Sequence, residues 1–436
     1  MGPSRLAVRV PRALLEPAAL AGGAPLPCGD AEGLLAVEFS LQGGQLAAIA
    51  PLPPAAAAAP LPLALPPLVE PHAHLDKAFS WPGFANGEGS MLGALQANQR
   101  EAAARSEALV LERGERALQQ AWRYGLRASR SHVDSGGPQE RPSWDALLDL
   151  QRRWRGRVEL QLVAMVPIAY WDTPAGEALA ARARHPATRQ QQPPGPPFAE
   201  SYGQRMALRA LLRLAERLGC GIDLHIDEAD DQPGRGLQLL LAELRRTPVT
   251  VPITCSHCSS LALLPAAAQR RLAAGLALRG VAVVALPSTN LWLLGRRPGC
   301  SPLQRPLAPL ALLQQEGVAV AIGGDNVQDP WYPGGDFDPI ELLRLTLPAL
   351  QLAPWQRQGL MPFSSVPARL LALPWDGVLR PGAPADLLLL AASSWSELLA
   401  RSPQRRVLRA GRWLEPPEGQ QPDPRLANLG ASPAQA

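Results

Sequence analysis

From about residue 67 the chain alternates between two kinds of segment. Short continuous apolar runs occupy 127–133, 158–166, 220–226, 249–256, 280–286 and 317–323. Between them lie longer stretches, 107–124, 142–155, 203–219, 235–245, 265–277 and 307–316, in which leucine and alanine recur among arginines. Apolar runs of this length read as buried strands, and their alternation with helices implies a parallel α/β sheet. With a further strand ahead of His72, the pattern predicts seven strands of a distorted (β/α)8 TIM-like barrel. The missing strand, fourth in order, should fall between a helix near 175–184 and the helix starting near 203. That interval contains the Gln/Pro-rich segment 187–197. Proline cannot donate to a ladder, so whether a strand forms there stays open.

The two ends of the chain are patterned differently. Residues 34–50 read strand, Gly43-Gly44, strand, which is a hairpin signal. An Ala/Pro stretch, 51–60, follows as a low-complexity linker. Near the other end, the apolar run Leu387 to Leu390 and the segment Arg406 to Leu414 read as strands. These pieces predict a small β-domain built from both N- and C-terminal segments. The expected division is 1–66 for its N-terminal part plus linker, 67–375 for the barrel and 376–416 for its C-terminal part. Residues 417–436, rich in Pro, Gln and Ala, are expected to be a disordered tail.

Composition narrows this picture. A length of 436 residues and 47% apolar content suit one large barrel plus a small domain. The formal charge of +4 comes from arginines scattered along helix faces, with no basic block interleaved with aromatics, which argues against a nucleic-acid partner. Among the 42 lysine and arginine residues, only Lys77 is a lysine. Five cysteines, sparse and odd in number, suit free thiols in a reducing compartment. Cys255-Ser256-His257-Cys258 lacks the second pair that a structural zinc site needs, so its cysteines read as small buried residues. A signal-peptide pattern is absent, and the apolar run from Pro51 to Pro67 is too broken for a membrane helix. A cytoplasmic protein with no membrane partner is expected; monomer and homo-oligomer both stay open.

Five of the six histidines concentrate in four short motifs, each at a predicted strand end. These are Pro71-His72-Ala73-His74-Leu75-Asp76-Lys77, Ser131-His132-Val133-Asp134, Asp223-Leu224-His225-Ile226-Asp227-Glu228 and Ser256-His257. The sixth, His185, sits in an Arg-rich stretch and reads as surface. A fifth motif, Gly323-Gly324-Asp325-Asn326-Val327-Gln328-Asp329-Pro330-Trp331, carries no histidine. His72 and His74 are two apart on a strand and so point to one face, where two imidazoles can grip one metal. His225 is the natural third ligand and Asp325 the fourth, leaving room for a water. Glu228, three residues past His225, is placed to move a proton to a leaving group, or else to serve as a helix N-terminal acid. His257 reads as a group that polarises substrate or water, with a ligand role as the alternative. For His132 and Asp134 a supporting or structural role is as well supported as a direct one.

In order and spacing these motifs resemble the amidohydrolase superfamily, and within it the cytosine deaminase group. The matching stretches are HxHLD at His72 to Asp76, HVD at His132 to Asp134, HxDE at His225 to Glu228, Ser256-His257, and Asp325 to Pro333 with its DPWYP ending. The run Gly382 to Leu390 resembles the superfamily's closing β-domain. The resemblance spans about residues 34 to 415. It implies a hydrolase that deaminates a small aminated nitrogen heterocycle, using one divalent ion, Fe2+ or Zn2+. It also implies that His72, His74, His225 and Asp325 hold the ion and that Asp325 takes a proton from the attacking water. Glu228 would protonate a ring nitrogen, His257 would stabilise the hydroxide, and Trp331 would pack near the heterocycle. Two-metal members use a lysine from the fourth strand; here the only lysine follows HxHLD, which excludes that centre.

Three departures bear on substrate. The third strand runs into Met165-Val166-Pro167 without the group's glutamine, Asn326 replaces an acid, and 187–197 replaces an apolar strand. Asn326 offers substrate both a donor and an acceptor, where an ionised acid only accepts. The expectation is therefore a pyrimidine, triazine or pterin relative, with cytosine itself a poor substrate. Two alternatives stand beside deamination: a sister hydrolase cleaving a ring amide or N-alkylamino group, and a non-catalytic barrel kept for binding. The HxE…PCxxC arrangement of nucleic-acid deaminases is absent.

Overall fold

A computed structural model of the chain describes residues 4–183, 202–230, 232–297, 299–415, 423–427 and 429. Four N-terminal strands come first: β1 (Arg5–Pro11), β2 (Leu34–Gln42), β3 (Gln45–Pro51) and β4 (Leu63–Leu65). Seven barrel strands follow: β5 (Leu68–Ala73), β6 (Leu126–Asp134), β7 (Glu159–Met165), β8 (Ile222–Ile226), β9 (Ile253–His257), β10 (Ala282–Ala285) and β11 (Val320–Ile322). The last three are β12 (Leu387–Leu390), β13 (Arg405–Arg409) and β14 (Arg412–Trp413).

The barrel strands pair in parallel as β5-β6-β7 and as β8-β9-β10-β11. One parallel bridge, Ala73 with Asp325, joins β5 to the chain just beyond β11, and the Asp325 N–H donates to the His72 carbonyl at 2.9 Å. The result is the distorted α/β barrel with a small β-domain. Among the described residues no strand fills the place between β7 and β8. The segment 187–197 and His185 lie outside the described residues.

Strands such as β8 and β9 are buried along their whole length because helices cover the outside and side chains fill the inside. The helix Glu107–Tyr124 shows how sequence sets these covers. Ser106 caps its start by accepting from the Leu109 N–H, its inner stripe buries Val110, Ala117, Leu118 and Ala121, and Gly125 ends it at φ 95°.

The small domain is one seven-stranded sheet in the order β14-β13-β12-β4-β1-β2-β3, drawing on both ends of the chain. Strand period decides its packing. Leu387 and Leu389 of β12 join Leu6, Val8, Phe39 and Ile49 in the domain's own core, while Leu388 and Leu390 face the barrel's core. A short helical turn, Pro424–Ala427, packs on the small domain. Leu426 is 1% exposed, the Arg406 guanidinium donates to its carbonyl at 3.1 Å, and Arg425 pairs with Glu397 at 2.6 Å. No helix among the described residues is long and apolar enough to cross a membrane.

Candidate active site

The five motif histidines meet at the C-terminal end of the barrel. The His72 and His74 rings are 5.3 Å apart, His72 stacks on His132 at 3.8 Å, and His225 lies 4.6 Å from His72 and 5.2 Å from His257. Asp325 Oδ1 sits 3.2 Å from His74 Nε2 and 3.6 Å from His72 Nε2. Two ligand-type triads result, His72/His74/Asp325 and His72/His132/His225, with the ligand atoms of each within 4.8 Å of one another. His72 belongs to both, so the triads form one cluster. His225 groups with His132 rather than with Asp325, which brings His132 nearer the centre than its motif alone implied.

The donor atoms fit a divalent cation. Ser256 Oγ donates to Asp223 at 2.9 Å, so it must accept from His72 Nδ1, also at 2.9 Å. Neutral His72 then presents a bare lone pair at Nε2. That atom, both ring nitrogens of His225 and both oxygens of Asp325 are buried without hydrogen-bond partners. Burial and neighbouring imidazoles hold the His72 and His225 pKa values well below 6.5. His74 is lowered to about 4 by burial and Lys77. Burial pushes the Asp325 carboxyl up, but His74 and His257 outweigh it and keep the group ionised. Neutral imidazoles beside a carboxylate are a metal donor set.

The backbone is shaped to bring these atoms together. Asp325 and His257 adopt left-handed φ values of 65° and 70°, a conformation that tends to collect at functional sites. Buried Glu70 accepts from the His72 N–H and the Gly324 N–H, both at 2.9 Å, lashing β5 to the Asp325 loop. A Cβ on Gly323 would lie 2.8 Å from Glu70 Oε1 and 3.1 Å from His72 Cβ, so only glycine fits there.

Beside the cluster, Asn290 Nδ2 donates to His257 Nδ1 at 3.1 Å and lies 3.4 Å from Glu228 Oε1. With Nδ1 accepting, neutral His257 carries its proton on Nε2, which is buried and unpartnered. Burial, then Asp325, raises the Glu228 pKa well above its ordinary value. The helix-capping acid is the neighbouring Asp227, which accepts from the N–H groups of Gly236 (2.8 Å) and Leu237 (3.0 Å). Glu228 is free of that duty.

These groups open into a cavity of about 560 Å³ lined by His74, His225, Glu228, His257, Asp325, Asn326 and Trp331. Opposite them are Asn98, Gln99, Gln139 and the apolar Leu95, Met165, Val166 and Pro167. The Asn326 amide is engaged at both ends, donating to Asp329 at 2.8 Å and accepting from Thr289 at 3.4 Å. One N–H and one lone pair remain to it. The Trp331 indole N–H donates to Asn98 at 3.3 Å, which fixes the ring at the cavity wall.

Motif reading overlooked Lys77, Asn98 and Asn290. Lys77 Nζ lies 2.8 Å from Asp134 Oδ1, and Asp134 Oδ2 is 3.0 Å from the buried Arg105. Burial lowers the Lys77 pKa, but Asp134, Asp76 and Asp329 outweigh it, so the ammonium persists at the cavity floor. The signal was present: a lone lysine three residues past the HxH pair. Asn290 carried none, being one polar residue in an ordinary helix.

The Amidohydrolase family profile matches residues 86–413, three quarters of the chain. The chain belongs to the amidohydrolase family. A pterin deaminase of Rhizobium rhizogenes is 33% identical over 352 residues, covering 80% of each chain. Among solved structures, a 5-methylcytosine deaminase from Klebsiella pneumoniae liganded with phosphonocytosine superposes with a TM-score of 0.76 at 25% identity, covering 96% of this chain and 100% of the other. An N-isopropylammelide isopropylaminohydrolase from Burkholderia multivorans gives 0.67 at 25% identity, covering 94% and 98%. By name, two are deaminases and the third is an isopropylaminohydrolase. The family resemblance read from the motifs is thereby borne out.

Proposed function

We propose that this amidohydrolase removes an exocyclic amino group from a small nitrogen heterocycle by hydrolysis, and that the preferred ring is bicyclic and pterin-like. The observation that carries the reaction is the juxtaposition of unpartnered ligand atoms on His72, His74, His225 and Asp325 with the buried carboxyl of Glu228 and the Nε2–H of His257. Those four residues would hold a single divalent ion, Fe2+ or Zn2+, which when bound would supply the Lewis acidity that makes water a nucleophile near neutral pH.

The chain's own groups do the rest. Asp325 accepts a proton from the attacking water, and His257 Nε2–H steadies the attacking oxygen. Glu228 gives its proton to the ring nitrogen next to the carbon under attack and regains one from the water through Asp325. The remaining hydroxyl proton passes through Asp325 to the amino nitrogen, the carbon–nitrogen bond breaks, ammonia leaves, and a ring carbonyl remains. Trp331 offers a flat apolar wall to the ring, and Asn326 offers its remaining donor and acceptor. The preference for two rings rests on the cavity volume of about 560 Å³ and on the amides of Asn98, Gln99 and Gln139 at its outer wall. The pterin deaminase relative supports the same choice.

The test is ammonia release by metal-loaded protein from pterin, cytosine, 5-methylcytosine and an aminotriazine. Pterin should have the highest kcat/KM and cytosine a low one, and Asn326→Asp should shift preference toward cytosine. Cytosine as the best substrate of the unmodified protein would sink the substrate reading. Release of an alkylamine from an N-alkylaminotriazine, with no ammonia from any ring, would replace deamination by the sister reaction.

A further inference from the structure

At the opposite end of the barrel lies a second cavity, of about 700 Å³, between the starts of β6 and β7 and the small β-domain. Its inner wall holds Arg127, Arg409, Trp122, Trp375 and Asp386. The Arg127 guanidinium lies 4.9 Å over the Trp375 ring, and that of Arg409 lies 4.5 Å over Trp122. A guanidinium lying on an aromatic face keeps its N–H groups pointing outward in its own plane, where they need acceptors.

For Arg127 those acceptors are missing, and for Arg409 they are incomplete. Among the described residues Arg127 makes no hydrogen bond and no ion pair, and its buried Nε and Nη2 have no partner. Arg409, 8% exposed, donates to the Leu126 carbonyl at 2.6 Å, but its Nε is also buried and unpartnered. Asp386 lies 3.6 Å from Arg409 and is shared with the Ala410 N–H. The exposed Arg155 and Arg157 line the same cavity, so four arginines face Asp386 and Glu159. Buried N–H donors on a cation are costly to leave unmade. A pair of them beside a cavity is the arrangement that recognises an oxyanion.

We propose that this cavity is a binding site for a phosphate dianion, held by the N–H edges of Arg127 and Arg409. The phosphate is either free or the terminal group of a nucleotide; the chemistry is the same. The site shares no residue with the catalytic cavity, so it stands or falls apart from the proposed reaction. Burial and the neighbouring Arg409 charge lower the Arg127 pKa to about 10, which leaves the guanidinium charged at neutral pH.

The test uses the full, metal-loaded chain, with melting temperature and calorimetric titration against inorganic phosphate at constant ionic strength, sodium chloride being the control. Phosphate should raise the melting temperature saturably in the unmodified protein and equally in Glu228→Gln. Arg127→Met should weaken phosphate binding by about tenfold or more, the loss expected for charge-assisted hydrogen bonds. In phosphate-free buffer Arg127→Met should melt at or above the unmodified protein, because an unpaired buried cation has been removed. Arg155→Gln, on the exposed rim, should fold normally and weaken binding by less. Tighter binding of adenosine monophosphate than of phosphate would identify a nucleotide as the source, and the reverse would identify free phosphate. The idea is overturned by a phosphate effect no larger than that of chloride, or by an equal effect in Arg127→Met. It is also overturned if Arg127→Met folds poorly without phosphate, which would make the guanidinium structural.

Discussion

The two ends of the barrel carry opposite deficits. At the C-terminal end, His72, His225 and Asp325 bury lone pairs that no proton meets. At the N-terminal end, Arg127 and Arg409 bury N–H groups that no lone pair meets. At both ends the unpartnered atoms themselves are buried, so a burial cost bears on each. The sign of the deficit differs, and with it the charge of what would satisfy it: a cation above, an anion below. Contrast this with the Arg105 cluster between helix and strand, where the guanidinium meets Asp76 at 2.7 Å and Asp134 at 3.0 Å. That cluster nearly closes on itself, with Asp76 Oδ1 its one carboxylate oxygen left without a partner. A buried polar group therefore points to a ligand only where its partners run out.

The comparison can be broken most directly at the upper end. His225→Ala should lose both bound metal and turnover, measured as metal content per chain and ammonia release. Full metal occupancy in that variant would remove His225 from the ligand set. Glu228→Gln should keep the metal and lose about 10²–10⁴-fold in kcat, because an amide cannot shuttle a proton. Parallel loss of metal in both variants would make Glu228 a ligand.

Smaller effects sharpen the contrast. Lys77→Met breaks a buried pair and should cost about 3 kcal/mol of stability, at the low end because Arg105 still holds Asp134. Its pH signature follows from Asp134. Burial pushes that carboxyl up, but Lys77 and Arg105 outweigh burial and hold it well below its ordinary 3.8. A depressed carboxyl contributes stability above its unfolded pKa and loses it as pH falls toward the folded value. Acid unfolding of Lys77→Met should therefore begin at higher pH than in the unmodified protein, with no change in the gap between pH 7 and 9. Ser256→Ala frees the His72 tautomer and should weaken metal binding by about 10–100-fold, as outer hydrogen-bond partners of ligands do. Unchanged metal affinity there would mean that His72 is oriented by packing on His132 alone.

Much of this molecule was legible before its structure. Strand ends fell where short apolar runs met histidine or aspartate, because burial on both faces leaves little freedom in composition. The HxH pair was legible for a geometric reason, since period two forces both rings to one side. What escaped were contacts made between distant strands. Nothing near Ser256 reveals that Asp223, 33 residues away, would orient it. Arg127 looks like any of the scattered arginines until β13 brings Arg409 beside it. Asp227 supplies the helix cap that spacing left open as an alternative for its neighbour Glu228, because adjacent acids at a helix start cannot be told apart by spacing.

Lys77, 1% exposed under Asp134, has a further consequence. Since it is the chain's only lysine, no side-chain amine lies on the outer surface. Acylating and carbamylating reagents, and cross-linkers that need two amines, find no lysine partner there while the pocket stays shut. Uptake of a single label at Lys77 would therefore report how often the pocket floor loosens. The molecule carries a built-in clock for its own breathing, readable by mass spectrometry without introducing any new residue.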